Sequence, residues 1–145
     1  MTEIDFHFNM QDKVVHACRL LRKAVAGRGA QVVVVADAPT LDLVDATLWT
    51  FAAVEFIAHC RSDAEPHLLS RSPVVLAPRA DAALPHRQVL VNLGADLPAG
   101  FERFERLIEI VTADEGDRQA ARRRWRHYAD RGYAIRRHDL AGERS

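Results

Sequence analysis

Hydrophobic and polar positions along this chain change period several times. Residues 4–8 alternate apolar and polar (Ile-Asp-Phe-His-Phe), the period-2 mark of a strand. Asn9 can then cap a helix, with Asp12 in its first turn. Val14, Cys18, Leu21 and Val25 fall at i, i+4, i+7 and i+11 on one face of that helix, and Gly27 and Gly29 suit its end. Four consecutive valines, Val32 to Val35, predict an interior parallel strand buried on both faces.

Asp37 can cap a second helix, with Pro39 in its first turn and Leu41, Val44 and Leu48 on its inner face. Nothing from Trp49 to His59 breaks a helix, so the pattern alone leaves its end open. Residues 65–72 read as a loop, 73–77 as a strand, 80–86 as a Pro-containing loop and 88–93 as a further strand. Pro98 starts a short helix through Phe104, and residues 107–111 form another buried strand. Thr112 and Glu115 make a capping box that opens a helix running to about Arg131. Gly132 ends it, and residues 133–138 read as a last edge strand. There is no internal repeat. This order predicts one α/β domain over residues 1–145: a Rossmann-like three-layer arrangement, its sheet mostly parallel, with helices on both faces.

Composition narrows the function classes. The 145 residues are 48% hydrophobic and 28% charged, as suits a packed core. Twenty basic residues balance twenty acidic ones, which argues against a broadly basic nucleic-acid coat. The balance is uneven: residues 114–145 hold nine Arg against six acids. Cys18 and Cys60 are too few for a disulfide framework and form no C-x-x-C pair, so a reducing compartment fits. The acidic start reads as lacking a signal peptide, and the longest nearly apolar stretch, thirteen residues from Ala46 to Ala58, is too short to span a membrane.

Catalytic chemistry finds little support. Neither of the first two strand-to-helix turns contains a glycine, so no loop cradles a pyrophosphate, and there is no P-loop. His59, Cys60 and His67 lack the paired spacing of a zinc site. No nucleophile elbow and no carboxylate pair stands out. The expectation is a protein that is not an enzyme and holds no cofactor or metal. Two features point to binding instead. Arg118, Arg122 and Arg126 fall at i, i+4 and i+8 beside Ala121, Trp125 and Tyr128, which would face the sheet, with Arg123 and Arg124 adding charge outside. Guanidinium forks beside an aromatic edge suit an acidic peptide with an apolar residue, or a phosphate backbone. The same row also fits a solvated helix face neutralised by Glu115 and Asp117. Trp49 and Phe56 read either as core or as an exposed protein-binding patch.

The ordered set of segments resembles the chi subunits of bacterial DNA polymerase III holoenzyme, a clamp-loader accessory family, nearly end to end. The resemblance rests on Ile4-Asp5-Phe6-His7-Phe8, the valine run, Leu41-Asp42 to Leu48-Trp49 and Phe56-Ile57-Ala58-His59. It continues through Pro73-Val74-Val75-Leu76, Val89-Leu90-Val91-Asn92-Leu93 and the terminal segment from Arg118 to Gly132-Tyr133. It implies a non-catalytic cytoplasmic protein of the nucleoid-associated replisome that meets DNA only indirectly and no membrane. Such a protein links the clamp loader, through the psi subunit, to single-stranded-DNA-binding protein. The resemblance would seat the acidic, Phe-ending C-terminal tail of that protein on Val111, Arg118, Arg122, Trp125 and Arg126. It would put Trp49 and Phe56 near the psi surface, with a helix end near Trp49 and a strand near residues 55–59. Relatives often carry Lys or Tyr where Arg118 and Trp125 stand, which keeps the chemistry type. Competing readings are a direct nucleic-acid binder using the Arg-rich helix and a small-molecule or nucleotide enzyme on a Rossmann-like sheet.

Overall fold

The four valines at 32–35 lie near the middle of a seven-stranded sheet, and all four are buried. β-branched side chains on both faces suit a strand that helices cover above and below. The computed structural model describes residues 1–50 and 57–141. Within them the chain runs β1 (Glu3–Met10), α1 (Lys13–Leu21), β2 (Val32–Val35), α2 (Ala38–Thr50), β3 (His59–Arg61) and α3 (Pro66–Arg71). It continues with β4 (Val74–Ala77), β5 (Val89–Asn92), β6 (Arg106–Thr112), α4 (Glu115–Asp130) and β7 (Ile135–Asp139). A π-helical turn, Arg22–Ala26, extends α1, and a 3-10 turn, Phe101–Arg103, precedes β6. The strand order is β3-β4-β2-β5-β6-β1-β7, and every neighbouring pair is parallel.

The pleat divides the core in two. Val32, Val34, Val74, Leu76, Val91, Ile108 and Ile110 pack with Cys18 and Leu21 of α1 and Leu41, Val44 and Leu48 of α2. Ile4, Phe6, Val33, Val75, Leu90, Leu107 and Val111 point the other way, onto Ala121 and Tyr128 of α4 and onto Phe101 and Phe104. The three layers expected from the pattern are therefore present. Cys18 is buried within the first layer, and burial pushes its thiol up to about 12.

Several local expectations change. Asn9 does not cap α1: it sits in β1 at φ 70°, where the β1–β6 register shifts, and donates to Asp139 Oδ1 at 2.9 Å. Asp12 is the cap, accepting from the Val14 and Val15 amides at 3.0 and 3.1 Å. Residues 66–71, expected in a loop, form α3 with Pro66 in its first turn. Thr112 belongs to β6, and Asp114 caps α4 by accepting from the Asp117 amide at 3.0 Å. Pro98 opens only a single turn, whose amide donor Phe101 bonds back to its carbonyl at 3.1 Å. The expected cap of α2 holds, with Asp37 Oδ1 accepting from the Thr40 amide at 2.9 Å. Of the strand expected over residues 55–59, Glu55 and Phe56 lie outside the described residues, Ile57 and Ala58 are described but not in a strand, and the strand there is His59–Arg61.

Candidate protein-docking site

The strand β6 carries a carboxylate into the core. Glu109 is fully buried, and three donors meet it: Asn92 Nδ2 at 2.9 Å, Arg124 Nε at 3.0 Å and the Tyr128 hydroxyl at 2.5 Å. Arg124 also donates from Nη1 to the Ala95 carbonyl at 2.7 Å. Burial pushes the Glu109 carboxyl up, with the Arg124 charge opposing it. Burial and the facing Glu109 also raise the Tyr128 hydroxyl. Arg124 was expected on the outer face of its helix. It is instead 3% exposed, because Ala121, Arg124 and Tyr128 at i, i+3 and i+7 share the stripe that meets β6. This network fixes the rotation of α4 and so decides which side chains its outer flank presents.

That flank holds Arg118, Arg122 and Arg126, all exposed and about 6 Å apart along the helix axis. Arg122 touches Glu115 only at 3.4 Å, with both side chains more than half exposed. Arg118 and Arg126 make no side-chain ion pair among the described residues. Asp117, expected to help neutralise the row, faces away and accepts from Lys13 Nζ at 3.1 Å and from the Thr112 amide at 2.8 Å. The row is therefore a set of guanidinium forks available to an outside anion.

Beside the row stands Trp125, half-buried against the second core layer with its ring 5.1 Å from that of Phe6. Val111 is 3% exposed and pairs in register with Phe8, so it lies beneath this face rather than on it. Of the five residues expected here, the structure brings four onto or beside one flank of α4 and sets Val111 beneath. It adds two that sequence reasoning missed: Phe8, and Arg137 of β7, whose guanidinium lies over the rings of both Phe8 and Trp125. The pairing of β7 with β1 sets Phe6, Phe8, Ile135 and Arg137 on one face, and the sequence carries no signal for that pairing.

Trp49 lies far from this face in the strand order. It is 62% exposed near the end of α2, which removes the core reading for it, and its ring is 5.2 Å from that of His59 on the edge strand β3. Leu43 is also exposed on the outer side of α2, two turns earlier. His59, weighed as a metal ligand, is engaged with Asp45 Oδ1 at 2.8 Å, and among the described residues no three-ligand cluster forms.

A crevice of about 460 Å³ opens at the carboxyl ends of β2, β4 and β5, where an open α/β sheet offers a ligand site. Asp37 and Asp96 line it, and the Asp37 carboxylate already takes the Thr40 amide at the start of α2. Among the described residues no helix is long and apolar enough to cross a membrane.

The chain is similar to known proteins over nearly its whole length. The family model for the DNA polymerase III chi subunit, HolC, matches residues 1–136. The chain is 32% identical to the DNA polymerase III subunit chi of Pseudomonas aeruginosa over 145 residues, covering 97% of this chain and 98% of that protein. With a family match that begins at the first strand and runs through α4 into β7, this chain belongs to the DNA polymerase III chi subunit family.

Proposed function

We propose that this chain is a non-catalytic adaptor of the replisome that captures the acidic, Phe-ending C-terminal tail of single-stranded-DNA-binding protein. Family membership supports the coarser statement, an accessory role in DNA replication beside polymerase III. The single observation that carries the finer one is the row of Arg118, Arg122 and Arg126 next to a half-buried Trp125. Guanidinium forks take the tail's carboxylates bidentately, and the edge of Trp125, next to Val111, takes the terminal ring. The psi subunit docks at the opposite edge of the sheet, around Trp49, and joins the adaptor to the clamp loader; Phe56, outside the described residues, stays a candidate on the resemblance alone. Association with DNA is then indirect, through the tail's owner.

Titration with a synthetic peptide ending Asp-Asp-Ile-Pro-Phe, followed by tryptophan fluorescence, tests the proposal. Arg122→Ala weakens binding by about 1.5–3 kcal/mol, the loss of one charge-assisted hydrogen bond. Unchanged affinity in that variant places the site elsewhere. The direct nucleic-acid reading predicts the reverse: weak peptide binding, and DNA affinity that falls steeply with salt whatever the sequence.

A further inference from the structure

β7 brings a cation to the Trp125 ring. Alternation sets Ile135 and Arg137 on the α4 face of the sheet and Arg136 and His138 on the other. The guanidinium carbon of Arg137 stands 5.3 Å from the Phe8 ring centre and 5.7 Å from that of Trp125. Both distances lie within cation–π reach, about 6 Å. Arg137 is exposed, and among the described residues it forms no ion pair. The nearby carboxylate of Asp139 is taken by Asn9 Nδ2 and the Ala141 amide, both at 2.9 Å. Arg136 is spent differently, with Nε 3.1 Å from Asp5 Oδ1 and Nη2 3.6 Å from Glu3.

A stacked guanidinium keeps the N–H groups along its edge free, so it can cover an aromatic ring and hold a carboxylate at once. Arg122 and Arg126 rise from α4 beside Trp125, and Arg137 reaches the same ring from the sheet. Trp125 is therefore flanked by cations from two elements. A C-terminal aromatic residue joins a ring and a carboxylate on one Cα, and acidic neighbours add more charge beside it. An aromatic edge with cations from two elements beside it matches those groups together. We propose that Arg137 is a further binding residue of this docking face, holding a carboxylate of the acidic tail while its guanidinium lies over the Phe8 and Trp125 rings. This rests on the tail-binding function proposed above.

The test compares the wild-type chain with Arg137→Gln, Arg137→Lys and Arg136→Gln in titrations with the same peptide. Arg137→Gln weakens binding about tenfold, the loss of one charge-assisted contact. Arg137→Lys restores only part of it, since an ammonium cannot stack and fork together. Arg136→Gln removes the same charge from the same strand but the opposite face, and stays within about twofold, as a screened exposed charge does. Arg87→Gln, exposed between β4 and β5, is a second charge control should loss of the Arg136–Asp5 pair disturb the fold. If Arg137→Gln binds no more weakly than the controls, Arg137 has no part in the site and the proposal falls alone. If the wild-type chain does not bind the peptide, the tail-binding function falls and this proposal with it.

Discussion

Glu109 would be costly in β6 without a counterion, because a lone buried carboxylate loses its hydration and gains nothing back. Arg124 supplies the charge, and Tyr128 and Asn92 fill the remaining acceptor positions. Arg124→Met therefore costs about 3–5 kcal/mol of stability, read from the urea midpoint, because it strands the carboxylate. Replacing Glu109 by Gln together with Arg124 by Met costs clearly less than Arg124→Met alone. A loss under about 1 kcal/mol for the single change would mean that Arg124 is not the counterion. His7 gives a second residue-scale prediction. Burial, then the nearby His16 and His138 charges, lower its pKa from 6.5 to about 4. Between those values the unfolded chain binds a proton that the folded chain refuses, so stability falls as pH drops from about 6.5 toward 4. Melting temperature against pH in wild type and His7→Gln measures it; a His7→Gln curve as steep as wild type over that window contradicts the assignment. At this scale the sequence was only half legible. An acid in the middle of an apolar strand demands a buried cation, but positions 124 and 125 stand only 100° apart on the helix. Helix periodicity could not choose between Arg124 and Trp125 for the inward place.

Elements were easier to read than their ends. The alternation in residues 4–8, the valine run and the Arg-rich helix all became the expected structures, because each follows from which faces must be buried. Caps failed where several short polar side chains competed. Asn9, Asp12, Thr112 and Asp114 all suit a cap by type, and the choice fell to strand pairing: β1 runs on through Asn9 and β6 through Thr112. Length hid α3, since six residues starting at a proline look like a turn. Asp114→Ala tests the corrected start of α4. It costs about 1 kcal/mol of stability by leaving the Asp117 amide without its acceptor. A neutral result would mean that Thr112 alone secures that end.

Across the whole molecule, the sheet separates two surfaces. The Trp49 surface belongs to α2 and the β3 edge, and the Arg row belongs to α4 beside the β7 edge, on the opposite face. Seven strands put those edges about 29 Å apart, with six spacings near 4.8 Å. On the function proposed above, docking faces at opposite edges let the domain join two partners without either blocking the other. The four site residues of α4 were legible as a pattern because helical spacing alone aligns them. Phe8 and Arg137 were not, because only the parallel pairing of β7 with β1 brings a residue near the C-terminus beside one near the start. The central claim is that guanidinium groups around Trp125 hold the terminal carboxylate of an acidic, Phe-ending peptide. One comparison tests it most directly: calorimetric titration of the folded chain with the peptide ending Asp-Asp-Ile-Pro-Phe, as the free acid and as the C-terminal amide. Binding by the free acid that weakens about tenfold or more on amidation is the predicted result, as loss of a charge-assisted contact requires. Equal affinity for the two peptides, or none for the free acid at low salt, would contradict it.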